Sequence, residues 1–315
     1  MAPSTGTLAR TAGAVALAGA TALAYSALIE VRWYALREVT VPVLPPGQEP
    51  LRILHLSDLH LVPGQRRKID WVRDLASLDP HLIVNTGDNW AHLDAMPDLL
   101  HALEPHLAVP GAFVLGSNDY IAPTPRNPAR YLLPDGRQKP KPSPELPWRE
   151  LVSRFRSAGW IDLTNRRDVV KADGRVISLV GTDDAHLNRD RYPDAGGTDD
   201  ARTGPTPIDL QLGVTHAPYR RVLDGMHADG VDLAIAGHTH GGQLALPFWG
   251  ALVTNCDLDT GRAKGLHGWP GPRPDRPGGA GSNWMHVSAG LGTSPYAPVR
   301  FACRPEATLL TLVAP

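Results

Sequence analysis

The sequence predicts an α/β fold from two patterns: strand-like and helical segments alternate, and apolar runs end where a loop would begin. In the first third of the chain, apolar runs of strand-like composition, such as residues 53–57, alternate with segments of helical spacing at residues 69–78 and 96–107. A second apolar run, at residues 81–86, ends at a glycine, where a strand would give way to a loop. Alternating strands and helices are typical of α/β domains, and we expect right-handed crossovers between them.

Residues 1–37 are predicted to be an N-terminal membrane anchor or signal segment. Residues 11–29 carry no charge and are just long enough to cross a bilayer core of about 30 Å. Ala22-Leu23-Ala24 would suit signal cleavage, whereas Trp33 and Tyr34, which lie between two arginines, resemble an interfacial belt. The belt favours the anchor. Basic residues lie on both sides of the segment, so the sequence does not fix its orientation.

Three further segments complete the predicted organisation. Residues 38–50 are rich in proline and are predicted to be a linker, so the main domain is expected to cover residues 51–315. Residues 121–147 contain many prolines, which excludes regular structure and suits either a lid or an ordinary surface insertion. Residues 168–180 predict two strands joined by a turn at Ala172-Asp173-Gly174.

Composition limits the class of partner. The 315 residues are 42% hydrophobic, and 31 basic residues nearly balance 32 acidic ones. No basic run with interleaved aromatic residues is present in the sequence, so no nucleic acid partner is expected. The densest basic cluster, residues 66–68, is predicted to be the solvated start of a helix. Two cysteines, Cys256 and Cys303, are too few for a disulfide framework.

Several apolar runs end at side chains that can bind a metal ion. Each one alone is weak evidence, because short Asp and His motifs recur by chance. Together they are much stronger, because the carboxyl ends of neighbouring strands can meet along one edge of a sheet. Carboxylates combined with imidazoles suit Mn, Fe or Zn, and one carboxylate can bridge two cations roughly 3.5 to 4 Å apart. The candidates are Asp58, His60, Asp88, His216, His238 and His240.

These motifs resemble those of the calcineurin-like metallophosphoesterase superfamily, and within it the membrane-associated bacterial phosphodiesterase branch. The matching segments are Asp58-x-His60, Gly87-Asp88, Gly116-Ser117-Asn118-Asp119, Thr215-His216-Ala217-Pro218 and Gly237-His238-Thr239-His240. The resemblance implies a two-sheet β-sandwich flanked by helices, in four αββα layers, and a site for two divalent metal ions. It implies that one ion is bound by Asp58, His60, Asp88 and His240. It implies that the other is bound by Asp88, Asn118, His216 and His238.

One motif departs from the family pattern. The family usually has Gly-Asn-His-Asp or Gly-Asn-His-Glu, in which the Asn binds metal and the His assists the leaving group, where this chain has Gly116-Ser117-Asn118-Asp119. In a gapless alignment Ser117 replaces the ligand and Asn118 replaces the histidine. With the loop slid by one residue, Asn118 remains the ligand and Asp119 takes the histidine's place. An amide oxygen is a better ligand than a serine hydroxyl, which favours the slide.

The predicted chemistry is hydrolysis of a phosphate or pyrophosphate ester by a metal-activated hydroxide. Asp88, Asn118 and Asp119 are the predicted catalytic residues, and His186 and Arg300 are predicted to contact the substrate. The general acid stays open: Asp119 could serve only with a raised pKa, and otherwise either the leaving group needs little protonation or His55, His186 or a metal-bound water helps.

Two expectations concern the substrate and its location. The apolar N-terminus suggests a lipid or cell-envelope precursor as substrate, and the resemblance favours a single-pass protein with an extracytoplasmic catalytic domain. The alternatives are a metal-binding scaffold with little catalysis and a phosphodiesterase for a soluble substrate.

Overall fold

Two six-stranded sheets form the centre of this computed structural model, which describes residues 5–125, 143–194 and 208–315. In spatial order, the first sheet contains β1 (Ala35–Pro42), β14 (Glu306–Val313), β2 (Leu51–Leu56), β3 (Leu82–Asn85), β4 (Gly111–Phe113) and β5 (Ile161–Asp162). The second contains β12 (Gly265–Trp269), β13 (Asn283–Val287), β9 (Leu233–Ala236), β8 (Leu210–Thr215), β7 (Arg175–Gly181) and β6 (Arg166–Ala172). A short hairpin of β10 (Ala245–Leu246) and β11 (Gly250–Ala251) lies outside both sheets.

Helices cover the outer faces of the two sheets. The covering helices are α2 (Arg66–Asp74), α3 (Met96–Leu103), α5 (Trp148–Ser157) and α6 (Arg220–Ala228), while α1 (Thr5–Leu28) is largely exposed and α4 (Ser117–Tyr120) is a single turn. The strands β2 to β5 run parallel to one another, as do β7, β8, β9 and β13. The parallel strands are apolar on both faces because both faces are covered, one by the other sheet and one by helices.

Three layers of buried apolar side chains hold these elements together. Between the sheets, Ile53 and Val84 of the first sheet pack with Ile235 of the second. On the outer face of the first sheet, α3 and α5 bury residues such as Phe155. On the outer face of the second sheet, α6 buries residues such as Met226. The order helix, sheet, sheet, helix confirms the predicted αββα sandwich.

Residues 35–42 differ from the expectation of a linker at residues 38–50. They form β1, which pairs in parallel along its whole length with β14. The prolines at 42, 45, 46 and 50 suggested a linker, but Val39-Thr40-Val41 has the β-branched composition of a strand, and Pro42 occupies the strand's last position. Residues 35–42 are therefore part of the first sheet. Residues 126–142, in the proline-dense segment, lie outside the described residues.

The helix α1 overlaps an apolar stretch, Arg10–Arg32, with a mean hydropathy of 1.7. Within the described part of the chain it is the one helix long and apolar enough to cross a membrane. Its carboxyl end is attached to the folded domain, because Tyr25 packs edge-on against Phe301 and the Glu30 carboxylate accepts backbone N–H groups from Ala302 and Cys303.

The helix α2 buries a cation that the sequence placed in solvent. Arg66 and Arg67 are exposed, as expected, but Lys68 is 4% exposed and donates a hydrogen bond to the Leu59 carbonyl at 2.8 Å. Lys68 lies one position before Ile69 on the buried face of the helix, so its four-carbon chain runs into the core. Burial lowers the pKa of the Lys68 ammonium from 10.5 to about 7.

Burial of Lys68 predicts a pH-dependent stability. The folded-state pKa is below the unfolded value, so between about pH 7 and pH 10 the unfolded chain binds more protons, and stability rises with pH across this window. We expect Lys68→Met to be more stable than the parent at pH 6, by up to about 4 kcal/mol, with a smaller difference at pH 9.5. Thermal unfolding of the detergent-solubilised chain at both pH values measures this. Arg67→Met is the control, and a pH-independent difference for Lys68→Met would contradict the assignment.

Candidate metal centre

The candidate ligands follow the carboxyl ends of four strands. Asp58 and His60 follow β2, and Asp88 follows β3 in the same sheet. His216 follows β8, and the His238 to His240 segment follows β9, in the second sheet. Because β2 and β3 are parallel neighbours, as are β8 and β9, each sheet delivers its ligands at one edge. The two edges meet, and the side chains converge between them.

Asp58, His60 and His240 form the first group. The Nε2 atoms of His60 and His240 are 3.1 Å apart, and His240 Nε2 lies 3.6 Å from Asp58 Oδ1. Asp58 and His60 are buried, whereas His240 is partly exposed. One ligand atom from each of the three residues lies within 4.8 Å of the others, which is close enough for one ion to contact all three.

Asp88 connects this group to a second one. Its Oδ2 lies 3.3 Å from His60 Nε2, and its Oδ1 lies 3.6 Å from His216 Nε2. Asp58, Asp88 and His216 also satisfy the distance condition for a common ion, and His238 Nδ1 lies 3.3 Å from His216 Nε2. Each oxygen of Asp88 therefore faces a different group, as a bridging carboxylate requires.

Backbone carbonyls fix which ring nitrogens of three histidines carry a proton. A carbonyl can only accept, so His216 donates through Nδ1 to Thr86 O at 2.7 Å, and His238 donates through Nε2 to Asn255 O at 3.1 Å. His240 likewise directs Nδ1 at Gly292 O at 3.0 Å. The opposite nitrogen of each ring then faces the interior of the site. This is the arrangement in which metal-bound histidines are held by their outer nitrogen.

The interior nitrogens fit bound cations better than they fit one another. In their neutral rings, His216 Nε2 and His238 Nδ1 would face each other with two lone pairs at 3.3 Å. The Nε2 atoms of His60 and His240 likewise lie 3.1 Å apart inside the site. A donor set of imidazole nitrogens and carboxylate oxygens suits Mn, Fe or Zn, so the residues present fit a divalent metal site.

Burial and charge set the protonation of the site. Burial lowers the pKa of His60 to about 4 and lowers the pKa values of His238 and His240 well below the ordinary value, which favours the neutral rings that can bind metal. Burial also lowers the pKa of His216, but the carboxylates of Asp88 and Asp58 outweigh it and raise that pKa to about 9. The site thus carries an excess of negative charge that retains a proton and would favour a cation.

The backbone of the site is strained. Asp58, His60, Asp88, His238 and His240 all have a positive φ, between 42° and 69°. Side chains other than glycine, Asn and Asp rarely adopt this left-handed conformation, and such residues cluster at functional sites. The clustering of five such conformations on the candidate ligands indicates that these loops are built to orient side chains.

Glycine is required where the two sheets approach each other. A Cβ at Gly237 would collide with Ser57 Oγ and Asp58 Oδ2, and a Cβ at Gly116 would collide with Asp88 Oδ1 and the His216 ring. Both positions let a backbone lie directly against a candidate ligand.

The motif at residues 116–119 reaches Asp88 in two different ways. Asn118 donates to the Asp88 carboxylate from its backbone N–H and from its side-chain amide, both at 2.7 Å. Asp119 is fully buried and accepts backbone N–H groups from Asp88, Asn89 and Gly116 at 2.7 to 2.9 Å. Asp119 therefore holds the Asp88 loop in place, as expected of the final acid in the gapless alignment. The slide that put Asp119 in the histidine's position is not favoured by these contacts.

The two predicted substrate-contacting residues lie in different environments. His186 is partly exposed, its ring centroid lies 4.7 Å from that of His238, and its Nδ1 lies 3.1 Å from the Tyr219 hydroxyl. Arg300 is fully buried, and its Nη2 donates to the carbonyls of Ala289 and Gly292 at 2.7 Å. Arg300 thus supports the segment that binds His240 and does not open to a phosphate.

Some residues of the site carry no signal in the sequence. The carbonyls of Thr86, Asn255 and Gly292 hold the histidines, but every residue has a carbonyl, so only the fold identifies them. Asp184 is buried beside the second group, and burial raises its pKa to about 7. The sequence indicates Asp184 only weakly, because it lies in an acidic turn that follows a strand.

Comparisons with known proteins give one consistent family. The sequence profile described as "Calcineurin-like phosphoesterase" matches residues 51–242. The chain is 26% identical to the uncharacterized protein YpbG of Bacillus subtilis over 276 residues, which cover 85% of this chain and 83% of YpbG. It is 26% identical to phosphodiesterase YaeI of Escherichia coli over 314 residues, which cover 96% and 97%. It is 27% identical to a Danio rerio "transmembrane protein with metallophosphoesterase domain", covering 66% of this chain and 44% of that one.

Proposed function

Because the chain belongs to the calcineurin-like phosphoesterase family, and is therefore a metal-dependent phosphoester hydrolase, we propose that it is tethered to a membrane and hydrolyses a phosphate or pyrophosphate ester of a lipid or envelope precursor. The observation that carries the hydrolytic part is the position of Asp88 between two groups of ligands. The observation that supports the tether is the exposed apolar helix α1, attached to the domain through Glu30.

We assign the ligands as follows. Asp58, His60, Asp88 and His240 hold one divalent cation, and Asp88, His216 and His238 hold the other, with Asn118 beside Asp88 in the position of the family's histidine. When bound, the two cations would supply Lewis-acid charge to the phosphoryl oxygens and would make water a better nucleophile at neutral pH.

The surrounding residues orient these ligands. Asp119 holds the loop of Asp88, and Arg300 holds the segment whose Gly292 carbonyl orients His240. Ser57 donates to Asp58, and Thr86 connects Ser57 to the buried His55. Precise support of this kind is what keeps ligands at a productive geometry.

The opening of the site lies beside four partly exposed residues, namely Ser117, Asn118, His186 and His240. Among them, His186 has an imidazole next to His238 and a hydrogen bond to Tyr219 that orients its ring. We assign His186 to contact with the substrate. The folded catalytic domain is assigned to residues 35–315, with the anchor before it.

Removing the tether tests the substrate assignment. A variant lacking residues 5–28 should hydrolyse bis-p-nitrophenyl phosphate within about two-fold of the parent rate, because the metal centre is in the folded domain. Its rate on a diacyl phosphoester embedded in vesicles should fall at least about ten-fold, because the enzyme no longer concentrates on the bilayer.

Other outcomes favour the alternatives. An unchanged rate on the embedded substrate would favour a phosphodiesterase for soluble substrates. Absence of any turnover that depends on Asp88 would favour a metal-binding scaffold. The rate on the soluble diester reports whether the shortened variant is folded.

A further inference from the structure

The β10–β11 hairpin and its flanking residues, which follow His238 and His240 in the chain, expose large apolar side chains. We name residues 243–255 the flap; it contains the β10–β11 hairpin with the tip Leu246-Pro247-Phe248-Trp249. Phe248 is fully exposed and Trp249 is 82% exposed. No charged residue occurs between Gly241 and Cys256. An uncharged loop that exposes a phenylalanine and a tryptophan is costly in water unless another phase or partner covers it.

The exposed apolar residues of this protein are confined to two regions. Among the described residues, all large exposed hydrophobic side chains except Leu93 and Ile121 lie either on the N-terminal segment or on the flap and its neighbour Tyr296. Tyr296 adjoins Ala297, whose carbonyl accepts from the Gln243 side chain at the start of the flap. In the described residues, large apolar side chains are thus exposed mainly in these two regions rather than scattered over the surface.

The two regions are joined through Phe301. Its backbone exchanges hydrogen bonds with the flap, since Ala245 N donates to Phe301 O at 2.9 Å and Phe301 N donates to Gln243 O at 3.1 Å. Its ring packs edge-on against Tyr25 of α1 and lines an apolar groove together with Leu17 and Ala18 of the same helix. The root of the flap therefore lies at the carboxyl end of the helix proposed to cross the bilayer.

Both ends of the flap are attached to the metal centre. It begins three residues after His240, and its last residue, Asn255, accepts the hydrogen bond from His238 Nε2 at 3.1 Å. Immediately before the flap, Gly242 packs so closely on Ala251 that a Cβ at position 242 would collide with it. A surface that holds the tip of the flap would therefore lie next to the opening of the site.

Basic residues surround the joint between helix and flap. Arg37, Lys264 and Arg304 line a pocket there with Tyr25, Glu30 and Phe301. Arg304 also stacks over the Trp33 ring at 4.1 Å. Aromatic side chains with neighbouring cations are typical of the level of the lipid headgroups, where cations meet anionic phosphates.

We propose that the flap inserts Phe248 and Trp249 into the lipid bilayer beside α1 and so holds the opening of the metal centre against the membrane surface. This rests on the proposed membrane tether for the identity of the surface, but not on the reaction. Insertion would explain why the flap has an apolar, uncharged tip while its two ends lie next to His238 and His240. It also implies a substrate whose phosphoester lies at the headgroup level.

Fluorescence of the full chain reconstituted in phosphatidylcholine and phosphatidylglycerol vesicles tests the insertion. The difference between the parent and Trp249→Leu isolates the emission of Trp249. We expect acyl chains carrying bromine to quench that emission by at least about half, and aqueous acrylamide to quench it weakly. A Trp249 that is quenched by acrylamide and not by brominated lipid would overturn the proposal, and so would one quenched by neither, which would indicate a protein partner or a second copy.

Turnover measurements separate this proposal from the proposed function. Phe248→Asp/Trp249→Asp should lower the rate on a vesicle-embedded phosphoester at least five-fold and leave bis-p-nitrophenyl phosphate hydrolysis unchanged. Leu93→Asp, an exposed apolar site elsewhere, is the matched control and should change neither rate. An unchanged rate for the double variant on embedded substrate would overturn the role of the flap. A parent chain that hydrolyses no phosphoester would overturn the proposed function, while the quenching result would still decide the insertion.

Discussion

Replacing Asp88 by asparagine is expected to lower the rate of phosphoester hydrolysis by about 10³-fold or more at saturating manganese, because Asp88 is the carboxylate that faces both groups of ligands. Asparagine keeps the size of the side chain and one oxygen, but it removes the negative charge and places an amide NH₂ against one of two imidazoles. Metal content should fall together with activity, because one bridging ligand serves both cations.

Steady-state rates with bis-p-nitrophenyl phosphate and metal analysis by inductively coupled plasma mass spectrometry measure the two effects. Asp94→Asn is the matched control, because the Asp94 side chain is 84% exposed and its described contacts are with His92 rather than with a candidate ligand. Retention of activity within ten-fold in Asp88→Asn would be incompatible with a bridging role for Asp88.

The second large effect concerns the leaving group. In the gapless alignment that Asp119 supports, Asn118 occupies the position of the family's histidine, and an amide cannot donate a proton as an acid. We expect the parent to hydrolyse esters of good leaving groups, such as p-nitrophenol, at least about 10²-fold faster than esters of alkyl alcohols, because general acid catalysis contributes about 10² to 10⁴. The double variant Ser117→Asn/Asn118→His restores the family pattern. It should lower the ratio of the p-nitrophenyl ester rate to the alkyl ester rate about ten-fold or more.

A series of phosphodiesters with leaving groups of graded pKa measures the ratio in both proteins. Asn118→Ala is the control, since it removes the amide without adding an imidazole. A parent whose rate does not depend on the leaving group would indicate that another residue, such as His186, already supplies the proton. In that case His186→Ala should make the rate depend on the pKa of the leaving group.

Local patterns predicted the α/β class, and only the family resemblance implied the αββα sandwich. Local patterns also identified the loops of the metal centre, because in this protein the candidate ligands follow strands. Asp58 and Asp88 follow apolar runs that remain apolar because the parallel strands β2 and β3 are covered on both faces. The same local reasoning failed at β1, where prolines outweighed a short β-branched run. It also failed at Lys68, whose burial depends on which face of α2 meets the core.

Other features of the centre depend on contacts between residues far apart in the chain. From their chemical type, Asp119 was predicted to be catalytic and Arg300 to contact the substrate. In the structure the Asp119 carboxylate accepts backbone N–H groups and the Arg300 guanidinium donates to backbone carbonyls. The left-handed conformations at Asp58, His60 and Asp88 are similarly invisible in the sequence, since these residue types adopt ordinary conformations elsewhere. Residue type predicted which side chains could act, and the fold determines how they are oriented.

The central claim is that Asp58, Asp88 and the histidines of two sheets hold a pair of cations that share Asp88. Anomalous scattering from crystals of the manganese-loaded protein tests it most directly. We predict two peaks roughly 3.5 to 4 Å apart, with Asp88 oxygens adjacent to both. A single peak, or peaks away from Asp88, would contradict the claim.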